Sequence, residues 1–163
     1  MTLPATILAA AATLALSAPG FAQAPVTEHN VSMAMAQAII AGTIEQCTKD
    51  GYKVSVSIVD KAGILVAFQH GDGTNPHTVE FSRMKAYTAR TRNQTTLEYI
   101  AATSTPEGAL LRQIPGTVAV GGGVPIRLGT ETIGAGGVSG APGGDKDEVC
   151  AKAGIEKVAA QLK

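Results

Sequence analysis

The chain has no tryptophan, and its three phenylalanines and three tyrosines make up only 4% of 163 residues. Neither charge is in excess, since 13 basic side chains stand against 13 acidic ones. A nucleic-acid binder needs a basic stripe interleaved with aromatics, and both ingredients are missing. Cysteine occurs only as Cys47 and Cys150, too far apart for a CxxC, which removes support for zinc-ribbon and thioredoxin-like readings. The length suits one domain. A neutral surface poor in aromatics directs attention to small ligands or to self-association.

No Lys or Arg precedes Lys49, so the basic start of an export signal is represented by the amino terminus alone. The remaining parts of such a signal are present: the apolar run "ILAAAATLAL" (Ile7 to Leu16), the breaker "SAPG" and the small-x-small site "AQA" ending at Ala24. The apolar run is too short to cross a bilayer. We therefore expect a signal peptide over 1–24, cleaved after Ala24, and a single domain over 25–163 in the periplasm or outside the cell. A buried N-terminal helix and a misassigned start codon are the competing readings.

Eight of the twenty residues from Gly121 to Gly140 are glycine, which invites three motif readings. A P-loop is excluded because no lysine lies between Lys85 and Lys146. A dinucleotide fingerprint starting at Gly134 has Ser139 where the last glycine belongs. A nucleophile elbow at Ser139 would end on Ala141 instead of glycine and has no histidine after it. The apolar residues Val124, Ile126, Leu128, Ile133 and Val138 argue against a flexible linker. We read the stretch as a glycine-studded hairpin with its turn near Gly129.

The remaining elements follow from periodicity. Met33, Ala36, Ile40, Ile44 and Cys47 recur at helical spacing, with Asn30 or Ser32 as cap and Gly51 as stop. Val54, Val56 and Ile58 alternate with Ser55, Ser57 and Val59, and "ILVAFQH" follows a turn at Asp60 to Gly63, which predicts a second hairpin. Pro76 opens a helix carrying a small-residue stripe of Ser82, Ala86 and Ala89. Thr95 and Glu98 form a capping box, and "TPEGALLRQ" offers a further turn or two. The last helix has an acidic start, a basic end and an apolar face of Ala151, Ile155, Val158 and Leu162. Strands do not alternate with crossover helices, so the expected class is an α+β antiparallel sandwich instead of a Rossmann fold.

Six segments occurring in order carry a resemblance: "VSIVDKAG" (Val56 to Gly63), "DGT" (Asp72 to Thr74), "SRMKAYTA" (Ser82 to Ala89), "GGVPI" (Gly122 to Ile126), "IGAGGVSG" (Ile133 to Gly140) and "DEVCAKAGI" (Asp147 to Ile155). Together they resemble the GlcG/HbpS-like haem-binding family, related to the C-terminal domain of PduO-type proteins. The resemblance implies a profilin-like antiparallel sheet with the terminal helices on one face and the shorter helices on the other. It also implies a homo-oligomer and a small ligand, haem or another tetrapyrrole. With both terminal helices on one face, Cys47 and Cys150 are expected to approach. A bridge would close a loop of about 100 residues and contribute roughly 4 to 5 kcal/mol in the chain-entropy model. The family usually carries arginine two residues before Asp72, where this chain has His70, so a fixed cation is replaced by a titratable ring.

The candidate ligand-binding residues are His70, Asp72, His77, Ser82, Lys85, Gly136 and Gly137. His77, and after it His70, are candidate axial ligands for haem iron; His29 lies apart, near the start of the domain. His77, Glu80 and Asp72 form a loose metal-ligand set. Lys85 reads as an anion holder for a propionate or small carboxylate, or as a lysine lying along a helix edge. Gly136 and Gly137 admit a ligand or partner backbone, or serve strand packing alone. An enzyme on the same fold, acting on a small carboxylate or aromatic metabolite through Lys85, His70 and Asp72, is the rival to a binding protein.

Overall fold

The computed structural model describes residues 25–163; the expected signal peptide lies outside the described residues. The chain runs α1 (Met33–Lys49), β1 (Ser55–Asp60), β2 (Leu65–His70), α2 (His77–Arg92), α3 (Thr96–Ala102), β3 (Gly123–Leu128), β4 (Glu131–Ser139) and α4 (Gly144–Glu156). Single 3-10 segments follow α3, at Ala109–Gln113, and α4, at Ala159–Gln161. Among the described residues no helix is long and apolar enough to cross a membrane.

Both expected hairpins form, and they join through β1 of the first and β4 of the second in the order β2-β1-β4-β3, antiparallel throughout. Alternation along β1 then assigns the two faces. Val54, Val56 and Ile58 enter the main core with Ala36, Ile39, Ile40 and Cys47 of α1 and Cys150 and Ala151 of α4. Ser57 and Val59 point the other way, toward Ser82, Ala86 and Ala89 of α2. The terminal helices thus share one face and α2 covers the other. The expected sandwich is present, with α2 at 16 residues longer than α4 at 13.

The local signals act as read, with small shifts. Ser32 caps α1 by accepting from the Met35 N–H, while Asn30 accepts from the Val31 and Lys61 N–H groups and ties the incoming chain to the β1-β2 turn. Met33, placed on the buried stripe by its spacing, is half-exposed because it opens the helix beyond the edge of the core. The Thr95 and Glu98 capping box is present. A register shift in the β3-β4 pairing at Ile126/Arg127 leaves Ile133 without a ladder partner and turns it into the core.

Cys47 and Cys150 are bonded to each other and fully buried between α1 and α4. The small-residue stripe of α2 has an equally specific counterpart. A Cβ added at Gly137 would collide with the Ser82 carbonyl oxygen and lie 2.5 Å from the Ala86 nitrogen. The bare backbone of β4 is therefore what allows α2 to lie directly on the sheet.

Candidate functional site

Where β4 ends, the chain passes through Gly140, Ala141, Pro142 and Gly143 into α4, and this loop forms one wall of a cleft of about 450 Å³. His77 and Phe81, from the first turns of α2, form the opposite wall, and Val120 and Asn75 complete it. The floor is polar: Lys85 Nζ donates to Asp147 Oδ2 at 2.7 Å and to the Val138 carbonyl at 2.9 Å. Asp147 Oδ1 accepts the Ala141 N–H at 2.9 Å, which fixes the carboxylate against the loop. Both charged side chains are nearly inaccessible, with 2% and 4% of their surface exposed.

At that depth, loss of hydration dominates the electrostatics. Burial pushes the Lys85 ammonium below its ordinary pKa, opposed by the charge and hydrogen bond of Asp147. Burial likewise pushes the Asp147 carboxyl upward, against the pull of Lys85 and the Ala141 N–H. Each group is shifted toward its neutral form. Gly122, at φ +117°, makes room for the pair, since a Cβ there would fall 2.7 Å from Asp147 Cβ and 3.2 Å from Lys85 Nζ.

The sequence-derived candidates do not converge on one place. His77 and Lys85 share the cleft just described. His70 and Asp72 line a second depression, with Tyr52, Lys53 and Gln69. There His70 Nε2 lies 2.6 Å from Thr74 Oγ1 in a hydrogen bond. Ser82 faces neither, because its hydroxyl is buried 2.8 Å from Ser57 Oγ and donates to the Val79 carbonyl. Gly136 looks toward Ile58, 3.3 Å away from a notional Cβ, and Gly137 lies under α2. Packing within the chain fills the space beside both glycines. Lys85 is buried and paired, neither free for an incoming carboxylate nor stretched along a helix edge.

The loose metal set does not assemble. Glu80 pairs with Arg83 at 3.1 Å, and among the described residues no three His, Cys, Asp or Glu side chains are grouped to hold a metal ion. His29 instead meets Glu131 at 2.9 Å, far from either depression in the chain, beside the Lys61–Glu131 contact at 2.6 Å.

Sequence reasoning missed Asp147 as the partner of Lys85, because an acidic residue in the first turn of a helix is already accounted for by the helix dipole. Lys53 was missed as well. It lines a third hollow together with Asn75, Gly140 and Pro142, three residues that also line the His77 cleft, so the two depressions adjoin.

A four-stranded antiparallel sheet between a disulfide-linked helix pair and the covering helix α2, with an open cleft at one end, defines an α+β sandwich domain. The chain belongs to the HbpS-like family: the family described as "Haem degrading protein HbpS-like" matches residues 31–156. Protein GlcG of Escherichia coli K12 is 33% identical over 113 residues, covering 69% of this chain and 84% of that protein. The crystal structure of a double mutant of Streptomyces reticuli HbpS is 33% identical with a TM-score of 0.76, covering 90% of this chain and 97% of the other. A PduOC:heme complex shares the fold at 22% identity and TM-score 0.70, over 77% of this chain and 93% of that one.

Proposed function

We propose that this protein is a secreted or periplasmic ligand-binding protein whose ligand is haem or another tetrapyrrole, seated over the His77 cleft. The observation that carries the proposal is the placement of an exposed imidazole at the mouth of a cleft walled by Phe81, Val120, Ala141 and Pro142. An apolar slot with an axial nitrogen donor beside it is what a porphyrin requires. The cleft volume, about 450 Å³, lies within the usual range for small-molecule sites. Bound there, haem would supply redox-active iron, and His77 would be the residue that holds it. Because Lys85 is committed to Asp147, the propionates would turn to Lys53 in the adjoining hollow. The HbpS and PduOC:heme relatives support this reading by family and by fold.

Haemin titration followed by absorption spectroscopy tests it. We expect a Soret shift that His77→Ala weakens by at least about tenfold in affinity, while His70→Ala leaves it intact. No shift, or a shift indifferent to His77, would remove this cleft as the haem site.

A further inference from the structure

The pair at the cleft floor is not needed by a haem ligand held from above. We propose that Lys85 captures small uncharged aldehydes, aromatic or short aliphatic, by forming an imine in this cleft. The inference shares the cleft with the haem reading but uses a different ligand and a different residue.

Three features of the floor support it. The Lys85 amine lines a cleft large enough for a small molecule yet is almost dehydrated, and a lysine without its water shell is the usual form of a nucleophilic amine. Its lowered proton affinity acts in the same direction. Asp147 Oδ2 and the Val138 carbonyl hold the nitrogen on two sides, which fixes where its remaining position points. Finally, a carboxyl group whose own pKa is raised stands within hydrogen-bond distance of the reacting nitrogen, where imine formation requires a proton to be taken and returned. Phe81, Val120, Ala141 and Pro142 supply apolar wall, and Lys85 and Asp147 already neutralise each other, so the floor offers no unpaired cation for a carboxylate, which selects an uncharged aldehyde over a keto acid.

The step is balanced without a further reactant. Lys85 first gives one proton to Asp147 Oδ2, its neutral nitrogen adds to the carbonyl carbon as the C=O π bond breaks, and Asp147 passes that proton to the carbonyl oxygen to give a carbinolamine. Asp147 then accepts a second proton from nitrogen and gives it to the departing hydroxyl, and water leaves as the C=N bond forms.

The test is reductive trapping of the purified protein with benzaldehyde and cyanoborohydride at about pH 6.5, where ordinary lysines are almost fully protonated. Peptide mass mapping then locates the adduct. We expect Lys85 to be labelled at least about tenfold faster than the exposed Lys49, Lys53 and Lys152. Lys85→Arg should remove that label and spare the others. Should the variant fail to fold, the wild-type protein in urea serves instead, where the preference for Lys85 must vanish. Labelling of Lys85 no faster than that of the exposed lysines in the native protein overturns the proposal. Haem binding is read separately from the Soret band and from His77→Ala, so either reading can fail while the other stands.

Discussion

Lys85 Nζ on α2 lies 2.7 Å from Asp147 Oδ2 on α4, so one ion pair joins the helix covering one face of the sheet to a helix packed on the other. It passes beside Gly122 and Val138, where β3 begins and β4 ends. Burial shifts both partners toward neutrality, so the pair costs hydration that its attraction only partly returns. Its removal should depend strongly on whether one or both charges go. Lys85→Met alone leaves a buried carboxylate and should destabilise by about 3–5 kcal/mol. Adding Asp147→Leu should recover most of that loss. Urea unfolding of the two variants measures the difference, and equal losses would mean the pair is a net stabiliser.

The disulfide joins α1 to α4 through cysteines 103 residues apart in sequence. Replacing both Cys47 and Cys150 by alanine should lower stability by up to about 4–5 kcal/mol, most of it through a freer unfolded chain. Reduction of the wild type should reproduce the loss in denaturant midpoint. Both sulfurs are buried, so reductant is expected to act only on partly unfolded molecules.

The two neighbouring glycines of β4 should respond very differently to alanine. Gly137→Ala drives a methyl into the α2 backbone, which has no freedom to yield locally, and should cost at least about 1–3 kcal/mol. Gly136→Ala meets only the end of the Ile58 side chain, which can rotate away, and should cost less. Thermal melts of the two variants compare them directly, and equal losses would mean that α2 can move off the strand.

The Lys61–Glu131–His29 contacts lie at the surface and titrate. Lys61 and His29 lower the pKa of Glu131 by hydrogen bonding, and Glu131 in turn raises that of Lys61. A depressed carboxyl stabilises the fold above its ordinary value of 4.5, and the effect is lost as pH falls through the folded value. A raised ammonium stabilises below its ordinary 10.5 and loses the effect as pH rises through the folded value. Wild type and Glu131→Gln should therefore differ most near neutrality and converge in acid, with the gap shrinking in high salt. Hydrogen exchange at Val31 and Lys61, whose N–H groups bind Asn30, reports on the same junction.

Much of the architecture was legible because it is encoded over short distances. The caps at Ser32 and Thr95, the turn at Gly63 and the alternation of Val54, Val56 and Ile58 each depend on residues within a few positions. The small stripe of Ser82, Ala86 and Ala89 foretold a helix lying close on a sheet, though not that Gly137 was the place it would touch. The candidate site was legible only in part, since His70 and His77 bracket one loop in sequence yet face different depressions. The loop turns between them, and the distance along the chain carries no record of that turn.

The order of helices and hairpins and the burial of Cys47 were thus determined by the sequence, through periodicity and local turn chemistry, and the family was carried by its short motifs. Only the tertiary structure decided that Lys85 would spend its charge on Asp147, 62 residues further along. That choice depends on how β4 hands the chain to α4 across the end of the sheet. Spacing along a chain fixes which side chains share a face of one element, whereas partners on different elements are chosen by the packing of all of them at once.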